Sequence, residues 1–596
     1  MYLSPGDNGN RNTTTFTSPL GRHRFALYLL VIAVAFSPIL FGDFLFDDYF
    51  NLRNAAKSGW SWSGLMRNFV IRSELIHDGW QPPAFQGFVV RYFRPLFLLS
   101  LLADRALWGF QAWGYHLTNL LLHLGVVAAF YAVLRELLDD RRSLAAYGAL
   151  LFGVTHSHVP AVCWLSGRTE LLPALGMMIA LWGWLRFGRT SAWGLYALSL
   201  AAVAVSLFCK ENAAIFPFLA FAAWVWLFPR PRTSVWLLVP YALVVAGYLM
   251  VRYESLGGFP LPPPSFYYHP PSEPQFVVWA LAKVVCVFFN MVFQIPLLFP
   301  ADLALIRHPA VLGVLLVLVA AVAIALFRLL RGHRDDEWRR HGYFALAWIA
   351  LGLAPTAPLL ISNLYFYFPT AGMCIVLLAL WSRVMERERP RWLCRPRWRK
   401  AVPILAVALS VVAIQPGNAL LILGGRVAHR LLAEGAAAVG EVRDGSRIYV
   451  LDLPLLAYSL KNVLELRYPD RPFELHVLTL SPHFVPGRQA TSRVERTDEH
   501  TLVMTALGPP YFSGPFGLIA LHNTWRGILE KGRIHSVRGY RIEFGENEMY
   551  GNPPELCVHR IIFHFDEPLD SPTNVFVRFV DGRFSRVEWD GSHSSP

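Results

Sequence analysis

The residues able to do chemistry in this chain are few, and they sit at the ends of apolar runs. Phe46-Asp47-Asp48-Tyr49 directly follows the first such run. Adjacent carboxylates at a membrane boundary are costly to desolvate and tend to be functional when they face a cavity. One can act as general base while its neighbour orients it or stays solvated. The plainer role is a helix cap, for which Asp is favoured. Cations occur in three places: Arg91 and Arg94 in RYFRPL, Arg168 with Glu170 in SGRTELL, and Lys210 with Glu211 in CKENA. His156, His158, Asn363, Tyr365 and Tyr367 complete the set. Guanidinium groups clamp a phosphate and a carboxylate takes a proton, which suits a phosphate-bearing ligand such as a lipid-linked sugar phosphate. Taken singly, each has an ordinary reading. Charges at span ends snorkel to water, and the histidine pair has no evident third ligand for a metal. Their shared side of the membrane lifts the set. The residues leave open whether a divalent metal assists.

Positioning that set requires spans. Apolar runs at 25–42, 114–134, 143–162, 169–187, 192–208, 213–229, 234–251, 309–330, 343–361, 366–382 and 401–424 approach the roughly 20 residues needed to cross a bilayer. The expected fold class is thus a polytopic α-helical membrane protein of about eleven helices. The first run is too long for a signal-peptide core and lacks a small-residue cleavage site, so it reads as a retained helix after a polar tail, 1–24. Positive-inside parity puts the N-terminus in the cytoplasm, with inner loops at 135–142, 186–191, 229–233, 328–341 and 383–400 rich in Arg. Parity holds only if 276–299 is interfacial or re-entrant. The loop 43–113 is then outer. It contains Trp60, Trp62 and Trp80 and a short apolar piece, Leu96–Leu102, which reads as part of two interfacial helices capping a cavity.

Composition agrees. Of 596 residues, 54% are hydrophobic and only 16% charged, against about 25% charged in soluble chains. A soluble enzyme and a nucleic-acid module are excluded. Residues 1–424 hold 35 Lys and Arg against 20 Asp and Glu, while 425–596 hold 19 against 21. The basic excess therefore belongs to the membrane part, 25–424, and orients helices. It does not point to nucleic acid. Six cysteines form no CxxC pair, so neither a zinc ribbon nor a redox motif is present. Residues 425–596 read as an extracytoplasmic α/β or β-rich domain. SRIYVLDLP and ELHVLTL are expected as buried strands, and RIIFHF and VFVRFVDGRFSRVEW alternate as a half-exposed sheet does.

The order FDD, RYFRPL, GYHLTNLLLHL, HVPAVCWLSGRTELL, CKENA and YFYFP resembles the C-type (GT-C) membrane glycosyltransferases. The likeness is greatest to bacterial relatives of the transmembrane and tetratricopeptide-repeat and protein O-mannosyltransferases, and covers roughly 25–385. The resemblance implies transfer of a mannose-like sugar, with inversion, from a polyprenyl phosphate to an acceptor hydroxyl on the outer face. It implies that Asp47 or Asp48 is the base. Arg91, Arg94, Arg168 and Lys210 would hold the lipid phosphate, with His158, Glu170, Glu211, Asn363 and Tyr365 in support. Partners would be the polyprenyl-linked sugar, membrane lipid and an acceptor protein or envelope glycan, in a bacterial inner membrane with the C-terminal domain outside. The chain departs from that pattern. Where relatives often show His-x-x-His-x-Glu, it has Thr155, His158 and Pro160; where they show Asp-Arg-Tyr, it has Asn363-Leu364-Tyr365. The repeat tail is absent. Two other readings stand beside this one: a lipid-linked-sugar transporter, which calls for ionisable groups along a through-path, and an inactive relative that binds an envelope partner.

Overall fold

The computed structural model describes residues 19–59, 70–72, 78–79, 91–139, 141–228, 234–259, 268–293, parts of 313–331, 336–359, 362–386, 396–481, 492–513, 527–551 and 554–589. Trp60, Trp62, Trp80 and most of the expected 309–330 span lie outside them. Helices α1 (Pro19–Phe36), α2 (Asp47–Ser58), α3 (Pro95–Trp108), α4 (Ala112–Leu137), α5 (Arg142–Gly153), α6 (Val159–Cys163), α7 (Arg168–Thr190), α8 (Trp193–Cys209), α9 (Phe216–Leu227) and α10 (Val239–Leu256) come first in the chain. α11 (Pro274–Phe293), α12 (Asp336–Leu353), α13 (Pro369–Glu386) and α14 (Pro396–Val439) follow. Between α2 and α3 the short strands β1 (Val70–Arg72) and β2 (Arg91–Phe93) pair antiparallel.

Eleven spans were expected. Among the described residues five helices are long and apolar enough to cross a membrane: Arg24–Phe41, Ala112–Leu137, Leu165–Thr190, Val235–Leu256 and Ala401–Val439. Three shorter apolar helices match the expected runs at 192–208, 213–229 and 366–382. The run at 143–162 is broken. α5 stops at Gly153, a 3₁₀ turn holds His156–His158, and α6 begins at Val159. Twelve residues of α-helix rise about 18 Å, short of a hydrocarbon core of about 30 Å. The outward surface carries Leu27, Leu30, Leu243, Met250, Ile404, Leu409 and Leu423, all exposed. A bilayer accommodates such a surface and water does not.

The helices pack through small residues. A Cβ on Gly176 of α7 would collide with the Ser206 hydroxyl of α8, so the glycine lets the two backbones approach, as small residues do between membrane helices. In the loop that should cap a cavity, Phe97, Leu98, Leu101 and Leu102 of α3 are buried. They share one apolar core with Leu45 and Leu52 near α2, with Ala428 and Leu432 of α14, and with Ile448, Leu460 and Val577 of the C-terminal domain.

α14 runs on to Val439 and delivers the chain into that domain. Its first sheet joins β3 (Ser446–Leu451), β4 (Phe473–Val477), β12 (Asn574–Val580) and β13 (Arg583–Arg586). β12 and β4 flank β3 in parallel, with Val577 opposite Val450 and Ile448 opposite Leu475. The helix α15 (Leu460–Arg467) lies between β3 and β4 in sequence. A second sheet is antiparallel, ordered β5-β6-β11-β8-β7, from β5 (Ser492–Arg496), β6 (Thr501–Ala506), β7 (Ile534–Val537), β8 (Tyr540–Phe544) and β11 (Arg560–Phe565). β9 (Asn547–Tyr550) and β10 (Glu555–Val558) form a hairpin. β3 and β4 are the expected buried strands, and β11 alternates buried and half-buried residues as expected. β12 differs from its half-exposed expectation. Val575, Val577 and Phe579 face the core shared with the helices, while Phe576 faces the second sheet, so both sides are covered.

Candidate functional site

The carboxylate pair opens α2, where Asp47 and Asp48 fill the first turn and meet the positive end of the helix dipole. The two side chains diverge. Asp48 is 1% exposed. Its Oδ2 accepts from the Leu45 amide at 2.9 Å, and its Oδ1 accepts from the Ser166 amide at 3.0 Å and the Ser166 hydroxyl at 2.8 Å. Burial pushes this carboxyl up to about 7, against the pull of those hydrogen bonds. Asp47 is solvent-exposed. Its Oδ1 accepts from the Tyr458 hydroxyl of the C-terminal domain at 2.5 Å. The crowding of protein around it raises its carboxyl, and the Tyr458 bond opposes that rise. Neither aspartate takes the capping position, which falls to Phe46 without a side-chain cap bond; Asp48 instead reaches back to the Leu45 amide ahead of the helix, and the described bond to Asp47 is the one from Tyr458.

The loop that receives Asp48 is tightly made. Asn51 Nδ2 donates to Ser166 Oγ at 2.8 Å, and Trp164 Nε1 donates to the Leu45 carbonyl at 3.2 Å. A Cβ on Gly167 would strike the carbonyls of Pro160 and Ala161. Only glycine lets the chain turn there into α7.

One turn along α7, Glu170 pairs with Lys210, both buried. Ser166, which holds Asp48, and Glu170, which holds Lys210, thus flank the start of α7. The ammonium of Lys210 also lies 5.6 Å from the centre of the Tyr365 ring. Beside it, Glu211 accepts a two-point contact from Arg94, Nη2 to Oε1 at 2.6 Å and Nε to Oε2 at 3.1 Å. A third cation completes this cluster. Arg252, near the end of α10, lies 3.1 Å from Glu211 Oε2. Arg94 is set by its place before Pro95, a favoured first residue of a helix, and its guanidinium stacks 4.3 Å from the Tyr92 ring centre. Three cations against two carboxylates leave this patch positive.

Arg168 is elsewhere in chemical terms. It is 0% exposed. Its guanidinium pairs with Asp104 of α3, donates to Asn119 Oδ1 at 2.7 Å and reaches the carbonyls of Ser100 and Tyr115. His158 is also buried, donating to or accepting from Thr370 at 2.9 Å, with its ring against Tyr367 and Phe152. Asn363 opens the 3₁₀ turn Asn363–Phe366 that brings up Tyr365. Arg91 pairs by backbone with Arg72, and its side chain lies outside the described residues. Sequence reasoning passed over Asp104, Asn119, Ser166, Arg252 and Tyr458. Only Asp104 had a signal, as a lone acid in the apolar stretch of α3. Among the described residues no group of three His, Cys, Asp or Glu side chains gathers to hold a metal ion.

These elements define a mostly helical polytopic membrane protein with a strand-rich C-terminal domain. No family model matches the chain. It is similar to the protein O-mannosyl-transferase Tmtc1 of Drosophila melanogaster, 32% identical over 139 residues, 23% of this chain and 16% of that protein. It is likewise similar to the mouse (Mus musculus) protein O-mannosyl-transferase TMTC3, 29% identical over 189 residues, 31% of this chain and 20% of that one. The chain thus spans about a fifth of the length of these curated relatives. Among solved structures, ArnT from Cupriavidus metallidurans bound to undecaprenyl phosphate matches with a TM-score of 0.41 at 14% identity, covering 77% of this chain and 86% of that one. Scores of this size do not establish a shared fold.

Proposed function

We propose that the protein is a membrane glycosyltransferase of the C type, which moves a sugar from a polyprenyl phosphate to an acceptor hydroxyl on the face where α2, α3 and the C-terminal domain meet. The observations that carry this reading are an open carboxylate at Asp47, whose neighbour Asp48 is bonded to Ser166 just before α7, and a positive cluster of Arg94, Lys210 and Arg252 about Glu211 and Glu170, the latter in the first turn of α7. The local similarity to O-mannosyl-transferases supports it.

In this reading the acceptor oxygen attacks the anomeric carbon from the side opposite the phosphate, giving inversion. Its proton passes to Asp47 as the new C–O bond forms. The old bond between the anomeric carbon and the phosphate oxygen breaks, and its electron pair leaves on the polyprenyl phosphate. Arg94, Lys210 and Arg252 meet the charge that builds there. Asp48 fixes the start of α2 against Ser166, and Arg168 fixes α7 against α3. We infer from the positive-inside pattern that this face lies outside the cytoplasm, and propose a bacterial inner membrane as its location and mannose, after the O-mannosyl-transferases it resembles locally, as the sugar.

The test is release of polyprenyl phosphate from radiolabelled polyprenyl-phosphate mannose by the purified protein, with and without envelope extract. Release by the wild type that falls with Asp47→Asn supports the assignment. Binding without release for every polyprenyl-phosphate sugar tried would move the reading to a transporter or an inactive binder.

A further inference from the structure

The C-terminal domain reaches the carboxylate pair through one short segment, Tyr458–Glu465, and does so on several independent contacts. The Tyr458 hydroxyl donates to Asp47 Oδ1 at 2.5 Å, and its ring stacks on Phe46 with centroids 5.8 Å apart. Ser459 Oγ donates to the Phe46 carbonyl at 2.9 Å. Phe46 has φ 51°, a left-handed value for a residue with a side chain. Such a conformation costs on the order of 1–3 kcal/mol and persists where the surroundings impose it. Here the surroundings are Tyr458 and Ser459. Further along α2, Arg53 and Lys57 both pair with Glu465. Asp78, in the same inter-helix loop, pairs with Lys461 at 2.6 Å and accepts from the Leu475 amide at 2.9 Å. The apolar core runs unbroken from Leu45 and Leu52 to Leu460 and Val577.

We propose that Tyr458 is a positioning residue for Asp47, so that the C-terminal domain is a working part of the site and not an appended binding module. Its phenol selects the orientation of the Asp47 carboxylate and favours its ionised form, and with Ser459 it holds the strained Phe46 turn that aims the carboxylate. Other titratable and charged groups near Asp47 are Asp43, Asp48, Arg53 and Lys57 from its own segment, Lys461 and Glu465 from the C-terminal domain, and His429 of α14, which faces Tyr49. Among the described contacts, Tyr458 is the group that donates directly to Asp47. This inference rests on the role given to Asp47 above.

The test is Tyr458→Phe in the full-length protein, which keeps the ring on Phe46 and removes the hydroxyl. Infrared pH titration of the Asp47 carboxyl band, assigned by its loss in Asp47→Asn, needs no turnover. Its midpoint should rise by about one pH unit. An unchanged midpoint would overturn the proposal. With turnover as readout, Tyr458→Phe should shift the acidic limb of the kcat–pH profile upward by the same amount, with little change in KM, so that the loss grows as pH falls and recovers as pH is raised. A pH-independent loss, or an equal loss in the Asp47→Asn background, would mean that Tyr458 acts by stability alone. If the wild type transfers no sugar, the transferase reading falls while the infrared midpoint still decides the coupling.

Discussion

The Arg168 guanidinium finds its partners inside protein on every side, whereas around Arg94 the charges keep part of their surface open. The side chains of Arg168 and Asp104 are 0% and 3% exposed; those of Arg94 and Glu211 are 13% and 29%. Both arginines stand at helix starts, and both belong to motifs that the family resemblance assigned to phosphate. A buried pair gives up the water of both ions and is held by geometry, so it has nothing left to offer a ligand. A half-open pair can exchange its carboxylate for a phosphate at modest cost. The molecule thus uses one arginine to fix α7 against α3 and α4, and leaves another half-open beside Glu211 and Arg252.

The largest expected effect separates the two. Arg168→Ala leaves Asp104 buried and unpaired, which should cost about 3–5 kcal/mol and abolish recovery of folded protein. Replacing both, Arg168→Met with Asp104→Leu, should restore much of the thermal stability. Arg94→Ala should leave the unfolding temperature within a few degrees of wild type and lower donor affinity about tenfold. If Arg168→Met alone folds normally and loses only donor binding, the buried pair is a ligand site and the contrast fails.

The carboxylates divide in the same way. Asp47→Asn should reduce turnover by ~10²-fold or more with stability unchanged. Asp48→Asn replaces an oxygen that accepts twice from Ser166 with a group that must also donate, so it should lower stability as well as turnover. Equal activity in both single variants and the double variant would remove the pair from the mechanism.

How much of this was legible in the sequence follows from which interactions are local. Asp47 and Asp48 announce themselves because two acids after an apolar run have few reasons to be there. β3, β4 and β11 follow from runs and alternation within six residues. β12 misled, because alternation of residue type does not reveal that a second sheet covers the other face. The partners of Arg168 were hidden: Asn119 lies 49 residues away and Asp104 lies 64 away. A charge at a span end reads as facing water until its partner is seen. Arg252 is one of several polar residues near a helix end, and Tyr458 meets Asp47 across 411 residues of chain. Tertiary contacts of that reach leave no periodic trace.

A pH dependence of stability sharpens the division between Asp47 and Asp48. The folded-state carboxyl of Asp48 is raised by burial from its usual value near 3.8 to about 7. Between those limits the native protein holds more protons than the unfolded chain, so the slope of stability with pH is negative there. This contribution is fully present below about pH 4 and is lost as pH rises through about 7. Thermal unfolding followed from pH 4 to 8 should show it, and Asp48→Asn should flatten it. An unchanged slope in that variant would assign the proton to another group.

The smallest effect tests the open cluster itself. Glu211 occupies Arg94 and Arg252 in the structure, and on the proposed function a donor phosphate would take its place or share it. Glu211→Gln should therefore tighten binding of bare polyprenyl phosphate by about fivefold, a change of about 1 kcal/mol, without altering the fold. Titration of the lipid phosphate into detergent-solubilised protein measures it directly. Weaker binding would mean that Glu211 is needed to hold the two guanidinium groups in place. In that case the cluster around Arg94 would be built on the same principle as the knot around Arg168, and differ from it only in its depth below the surface.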